Sequence, residues 1–205
     1  HMCEQGLPKI YLITPPVIDI NVFPDQLASI LDAHEIACVR LALATASEDT
    51  ISRAADICRD IAHKRDVAIV LSDHTSLSER LGLDGVHLED SSKSVRNARK
   101  VLGPDAIVGS FCGNSRHDGL GAGDAGADYI AFGPVSAVAK DLFAKKELFE
   151  WWSEMIETPL IAEGGLTLDL VTQLSPFTDF FGFGEEIWTS DNHNDSIAKL
   201  INAMQ

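Results

Sequence analysis

The segment "DYIAFGP" (128–134) decides how the chain is read: four apolar or aromatic residues in succession run into a Gly-Pro turn. A strand with one wet face alternates apolar and polar residues. A run that is apolar at every position belongs to a strand covered on both faces, as in a parallel sheet flanked by helices. Runs of the same character recur at "KIYLIT" (9–14), "IACVRLAL" (36–43), "VAIVLS" (67–72) and "DGVHL" (84–88), then at "AIVGSF" (106–111), "PLIAEGG" (159–165) and "DFFGFG" (179–184).

Helical patterns separate these runs. "SEDTISRAADICRDIAHKR" (47–65) places Ile51, Ala54, Ala55, Ile57, Cys58 and Ile61 on one side, behind hydroxyl and acidic residues that suit a helix start. "DSSKSVRNARKVLG" (90–103) ends in a glycine stop, "NDSIAKLINAMQ" (194–205) closes the chain, and Trp151-Trp152 suit a helix packed on a barrel wall. Eight strand–helix units in 205 residues predict an α/β fold, a single-domain (β/α)8 TIM barrel spanning 9–205. Residues 1–8 are expected to be an N-terminal segment in which His1-Met2 is a cloning remnant. The rival is an open doubly wound sheet, which ordinarily uses fewer strands.

Sixteen basic against thirty-one acidic residues give a net charge of −15, a surface that repels nucleic acid and anionic membrane. The four cysteines are unevenly spaced, neither a metal knuckle nor a disulfide framework, and fit a reducing, cytoplasmic setting. The expected partner is a phosphorylated small molecule, and homo-oligomer formation is compatible with this barrel class.

In such a barrel the chemistry gathers at the C-terminal ends of the strands. "AEGGLT" (162–167) offers Gly164 and Gly165 as a phosphate loop or as a tight turn alone. Its partner "GFGEEIW" (182–188) offers Gly184, but Glu185 and Glu186 bring carboxylates that repel a phosphate unless they begin a helix facing solvent. "LSDH" (71–74) presents Ser72 and Asp73, and "HLEDSS" (87–92) presents Glu89 and Asp90. Asp73 with one of the latter makes a Mg2+ site or a set of helix-start acids. Arg40, a charge within an apolar strand, reads as an anion contact or half of an internal ion pair. "CGNSRHD" (112–118) supplies His117, able to do acid–base work. Lys140 follows the Gly-Pro turn by six residues, either a reactive group at the rim or the start of a helix.

The ordered set "YLITP" (11–15), "DGVHL" (84–88), "LGPDAIVG" (102–109), "AGADYIAFGP" (125–134) and "AEGGLT" (162–167) resembles thiamine phosphate synthase and its paralogue, the thiazole tautomerase, over nearly the whole chain. The resemblance implies a transferase that joins a pyrimidine pyrophosphate to a thiazole phosphate and releases pyrophosphate. It implies Lys140 and Mg2+ at the leaving pyrophosphate, Asp73 as a metal ligand, and Gly164 and Gly165 at the thiazole phosphate. The chain departs from the family pattern at several places. Of the second-strand Gln-x-Arg-x-Lys it keeps Arg40. Gly-Gln-x-Asp after "HL" is replaced by Glu89-Asp90-Ser91-Ser92, so the second metal aspartate falls on Ser92, and Asp90 substitutes for it only if the loop shifts. Ser72 stands for asparagine, Phe111 displaces a serine, and Glu185 stands for a serine. These losses raise the alternative of an inactive, regulatory or thiazole-binding paralogue. A tautomerase using His117 is a further reading.

Overall fold

The computed structural model describes residues 6–136 and 142–205. Eight parallel strands close into a barrel in sequence order: β1 (Lys9–Ile13), β2 (Ile36–Leu41), β3 (Ala68–Ser72), β4 (Gly85–Leu88), β5 (Ile107–Phe111), β6 (Tyr129–Phe132), β7 (Leu160–Glu163) and β8 (Phe180–Phe183). Closure is made by β1 against β8, with Tyr11 opposite Gly182. The (β/α)8 expectation holds, and the open sheet is excluded.

The helices of the outer ring are α1 (Phe23–Ala33), α2 (Glu48–Lys64), α3 (Thr75–Arg80), α4 (Val95–Leu102) and α5 (Arg116–Asp124), followed by α6 (Lys146–Met155), α7 (Leu168–Leu174), α8 (Glu185–Trp188) and α9 (His193–Ala203). Ser47 caps α2 by accepting from the Thr50 amide at 3.3 Å, as the hydroxyl at that position predicts. The helix expected from residue 90 begins only at Val95, because Ser91 adopts a left-handed φ of 61° and the Asp90 carboxylate accepts from the Ser94 hydroxyl. Trp152 on α6 meets Phe132 of β6 edge-on, with centroids 5.3 Å apart, and so fastens that helix to the wall.

Both strand faces are apolar because they feed two cores. Leu12, Val39, Ile69, Val86, Val108 and Ile130 pack outward against the helices. Tyr11, Cys38, Val70, Tyr129, Ala131 and Ile161 fill the lumen. Gly109 is needed there, since a Cβ at this position falls 1.9 Å from the Tyr129 ring. Gly109→Ala is therefore expected to cost about 3 kcal/mol or more in urea unfolding. Gly121→Ala, in α5 with its nearest neighbour Ser92 at 3.6 Å, is expected to be neutral or to stabilise by up to about 1 kcal/mol. Equal stabilities for the two variants would contradict this packing.

Candidate active site at the barrel rim

The upper lumen is polar. Arg40 of β2 is 3% exposed and reaches Glu163 of β7 through two hydrogen bonds, 2.7 Å from Nη2 and 3.2 Å from Nη1. Burial alone lowers a guanidinium pKa; the Glu163 carboxylate outweighs it and holds Arg40 well above its ordinary value. Of the two readings of Arg40, the structure shows the ion pair.

The same guanidinium starts a relay. Arg40 Nε donates to the Tyr11 hydroxyl at 3.1 Å, the Tyr11 and Tyr129 hydroxyls bond to each other, and Tyr129 lies 2.7 Å from His87 Nδ1. Arginine can only donate, so its direction propagates. Tyr11 accepts from Arg40 and donates to Tyr129, Tyr129 donates to Nδ1, and the imidazole proton sits on Nε2. The reverse order leaves the Tyr11 hydroxyl proton without an acceptor among the described residues. Burial, then the Arg40 charge, push the His87 pKa well below 6.5 and keep the ring neutral. Its Nε2 is buried and makes no hydrogen bond, with the Glu89 carboxylate the facing group at 3.3 Å.

Above this floor stand the loops. Asp73 takes a left-handed φ of 57° and is exposed at the end of β3. It caps no helix: the N-cap of α3 is His74, which makes no side-chain cap bond. Burial, then the negative charge of Glu89, raise the Asp73 pKa, with Asp90 adding to the repulsion. Among the described residues no group of three or more His, Cys, Asp or Glu is arranged to hold a metal. Asp73 and the neighbouring Glu89 and Asp90 carboxylates would still suit Mg2+, which binds through one or two of them and otherwise keeps water and substrate phosphate. Ser72 points into the lumen, half-buried, in register with His87.

On the opposite side, Gly164 and Gly165 have φ of 89° and 76°, and a Cβ on Gly165 falls 2.0 Å from Ser136 Oγ. The loop after β6 rests on this turn, with the Val135 amide donating to the Gly164 carbonyl at 2.8 Å. These glycines are thus required by packing whether or not a ligand is bound. Glu185 is exposed at the start of α8. Glu186 folds back instead, accepting from the Leu166 amide at 3.0 Å and the Gly184 amide at 2.9 Å. His117 is exposed on the first turn of α5. Lys140 lies outside the described residues. Burial pushes the thiols of Cys38 and Cys58 up to about 12, too high for either to act as a nucleophile at neutral pH.

The sequence matches the family described as Thiamine monophosphate synthase over residues 10–177. It is 41% identical to the thiamine-phosphate synthase of Rhodospirillum centenum, across 88% of this chain and 89% of that protein. The chain belongs to the thiamine monophosphate synthase family. A second member, from Hyphomonas neptunium, is 34% identical across 95% of this chain and 91% of its own length. The fold is similar to that of thiamine phosphate pyrophosphorylase from Pyrococcus furiosus, with a TM-score of 0.81 at 18% identity, covering 96% of this chain and 95% of that one.

Tyr11, His87, Tyr129 and Glu163 form the polar part of the lumen and carry no motif of their own, whereas Glu186 is visible as one of two carboxylates after Gly184. The first four stood in quoted strands: Tyr11 in "YLITP", His87 in "DGVHL", Tyr129 in "DYIAFG" and Glu163 in "AEGG". A charge inside an apolar strand needs a partner, and this holds for Glu163 in β7 as it does for Arg40 in β2.

The relay is tested by 15N NMR of the His87 ring: Nε2 is expected to be pyrrole-type and Nδ1 pyridine-type, unchanged from about pH 8 to pH 5. A neutral folded His87 and a protonatable unfolded one mean that the native state loses stability as pH falls below the ordinary value of 6.5. Titration of this ring near its ordinary value, or a proton on Nδ1, would contradict the relay.

Proposed function

We propose that this protein is a thiamine phosphate synthase, joining hydroxymethylpyrimidine pyrophosphate to a thiazole phosphate with release of pyrophosphate. The observation that carries the reading is end-to-end similarity to proteins named thiamine-phosphate synthase, at up to 41% identity among those compared. The same similarity does not favour the inactive or regulatory alternative.

The geometry supplies a physical setting for this chemistry. The relay from Glu163 through Arg40, Tyr11 and Tyr129 to His87 is a rigid polar floor, and the substrates are taken to meet above it. Arg40 is a positioning residue in this scheme, since its donors are engaged by Glu163 and Tyr11. Asp73 on the β3 loop, with Glu89 or Asp90 on the β4 loop, would hold Mg2+. When bound, the ion neutralises pyrophosphate charge and so supports its departure. Lys140 is assigned to the same leaving group, where negative charge grows in the transition state. Ser72 and the Gly164, Gly165 and Gly184 backbone are assigned to substrate contact, Gly164 and Gly165 facing the thiazole phosphate. His117 and Glu185, exposed at the rim as Asp73 and Asp90 are, are assigned to substrate contact as well.

The test mixes both substrates with Mg2+ and follows pyrophosphate and thiamine phosphate together. Turnover is expected, lost on chelation of the metal, with kcat/KM reduced about 100-fold or more in Lys140→Ala and in Asp73→Asn. Absence of product at high enzyme concentration with both substrates saturating would end the reading.

A further inference from the structure

We propose that the N-terminal end of the barrel carries a binding site for an organic ammonium ion, a protonated amine on a small apolar body, with the Asp179 carboxylate as its counter-ion. The site lies at the opposite end of the strands from the rim and does not depend on the synthase reading.

Three strands begin behind the same brace. The aspartate immediately before β4, β6 and β8 accepts from a backbone amide of the preceding strand: Asp84 from Ile69, Asp128 from Val108 and Asp179 from Leu160, each through Oδ2 at 2.8 Å. In the first two the charge is answered by the helix that leads into that preceding strand. His63, in the last turn of α2, stands 2.8 Å from Asp84, and Arg99, in the last turn of α4, donates to Asp128 at 2.6 Å. The corresponding helix for Asp179 is α6, whose last turn has no basic residue and ends in Glu154 and Met155. Lys9 donates its amide to the Asp179 carbonyl, but its ammonium turns to Glu35 at 3.5 Å. Asp179 is thus the one brace of the three without a cationic partner among the described residues. Burial raises its pKa, and the Leu160 amide is the group that opposes the rise.

This half-buried carboxylate opens onto a cavity of about 290 Å3 lined by Leu7, Pro8, Thr172, Ser175 and Met204. The apolar walls suit a hydrocarbon body. The polar groups present oxygen: the Thr172 and Ser175 hydroxyls donate to the Ala203 and Met204 carbonyls at 2.8 and 2.9 Å, so toward a ligand they act as acceptors. Helix α9 ends at the same wall with no basic residue in its last turn, which leaves the negative end of its dipole unanswered. A cation that donates N–H bonds finds its complement here. A bare divalent ion does not, since it needs more oxygen ligands than one carboxylate supplies.

The test titrates benzylammonium into the full chain, followed by amide NMR, beside benzyl alcohol, which has a similar shape without the charge. Benzylammonium is expected to saturate with a Kd on the order of 1 mM, shifting the amides of Leu160, Thr172 and Asp179, and to bind about fivefold or more tighter than the alcohol. Asp179→Asn is expected to remove about fivefold or more of the amine affinity and to leave the alcohol within about twofold. Asp169→Asn, which neutralises an exposed acid in the first turn of α7, is expected to change the amine affinity less than about twofold. No saturation by about 20 mM, equal affinity for the alcohol, or an equal loss in the two variants would overturn the proposal. Should Asp179→Asn fail to fold, the wild-type comparison decides: shifts confined to Ser72, His87 and their neighbours at the rim would overturn it as well.

Discussion

Arg40 rises from β2 into the lumen of the barrel, where bulk water does not reach it, and Glu163 meets it from β7 with two hydrogen bonds. A buried charge of this kind tolerates the interior only while its partner stays in place. The pair joins strands that are not neighbours in the ring. It therefore depends on closure of the barrel and in turn resists its opening. Because the guanidinium can only donate, it also fixes the direction of the hydrogen bonds through Tyr11 and Tyr129 to His87. One ion pair thus sets both the polarity of the lumen and the tautomer of a histidine at its top.

That arrangement divides the barrel into two regimes. Around the relay, Val70, Ala131 and Ile161 pack with Tyr11 and Tyr129 as the apolar part of the lumen. Above it, loops carry acidic groups on the β3 and β4 side and backbone amides on the β7 and β8 side. An anionic substrate needs a cation on the first side and free amides on the second. The first need matches the electrostatic crowding around Asp73, where Glu89 and Asp90 add negative charge. On the second side Glu186 accepts from the Leu166 and Gly184 amides.

All eight strands were legible because each is apolar on both faces, a pattern that only a doubly covered parallel sheet explains. The segment from residue 90 misled at its start, since the left-handed Ser91 and the Asp90–Ser94 bond replace the first helical turn with a loop. Arg40 was legible as a charge in need of an answer but not as to which answer, because Glu163 lies 123 residues away and only the closed ring brings them together. Tyr11 and Tyr129 stand inside apolar runs, and their hydroxyl contact 118 residues apart has no local signature. The two glutamates after Gly184 were visible as a conflict with a phosphate site. Which of them intrudes depends on the turn onto α8, where the second residue folds back and the first points to solvent. Lys140 was visible after the Gly-Pro turn, but its role and the reaction came from family resemblance, since the packing of the barrel dictates neither.

The account depends most on the charge pair within the lumen, and urea unfolding of Glu163→Gln measures it directly. Stranding a buried guanidinium is expected to remove about 3–5 kcal/mol, and the double replacement Arg40→Met with Glu163→Leu to restore most of it. A Glu163→Gln variant within about 1 kcal/mol of wild type would contradict the pair, and with it the relay and the polar floor built on it.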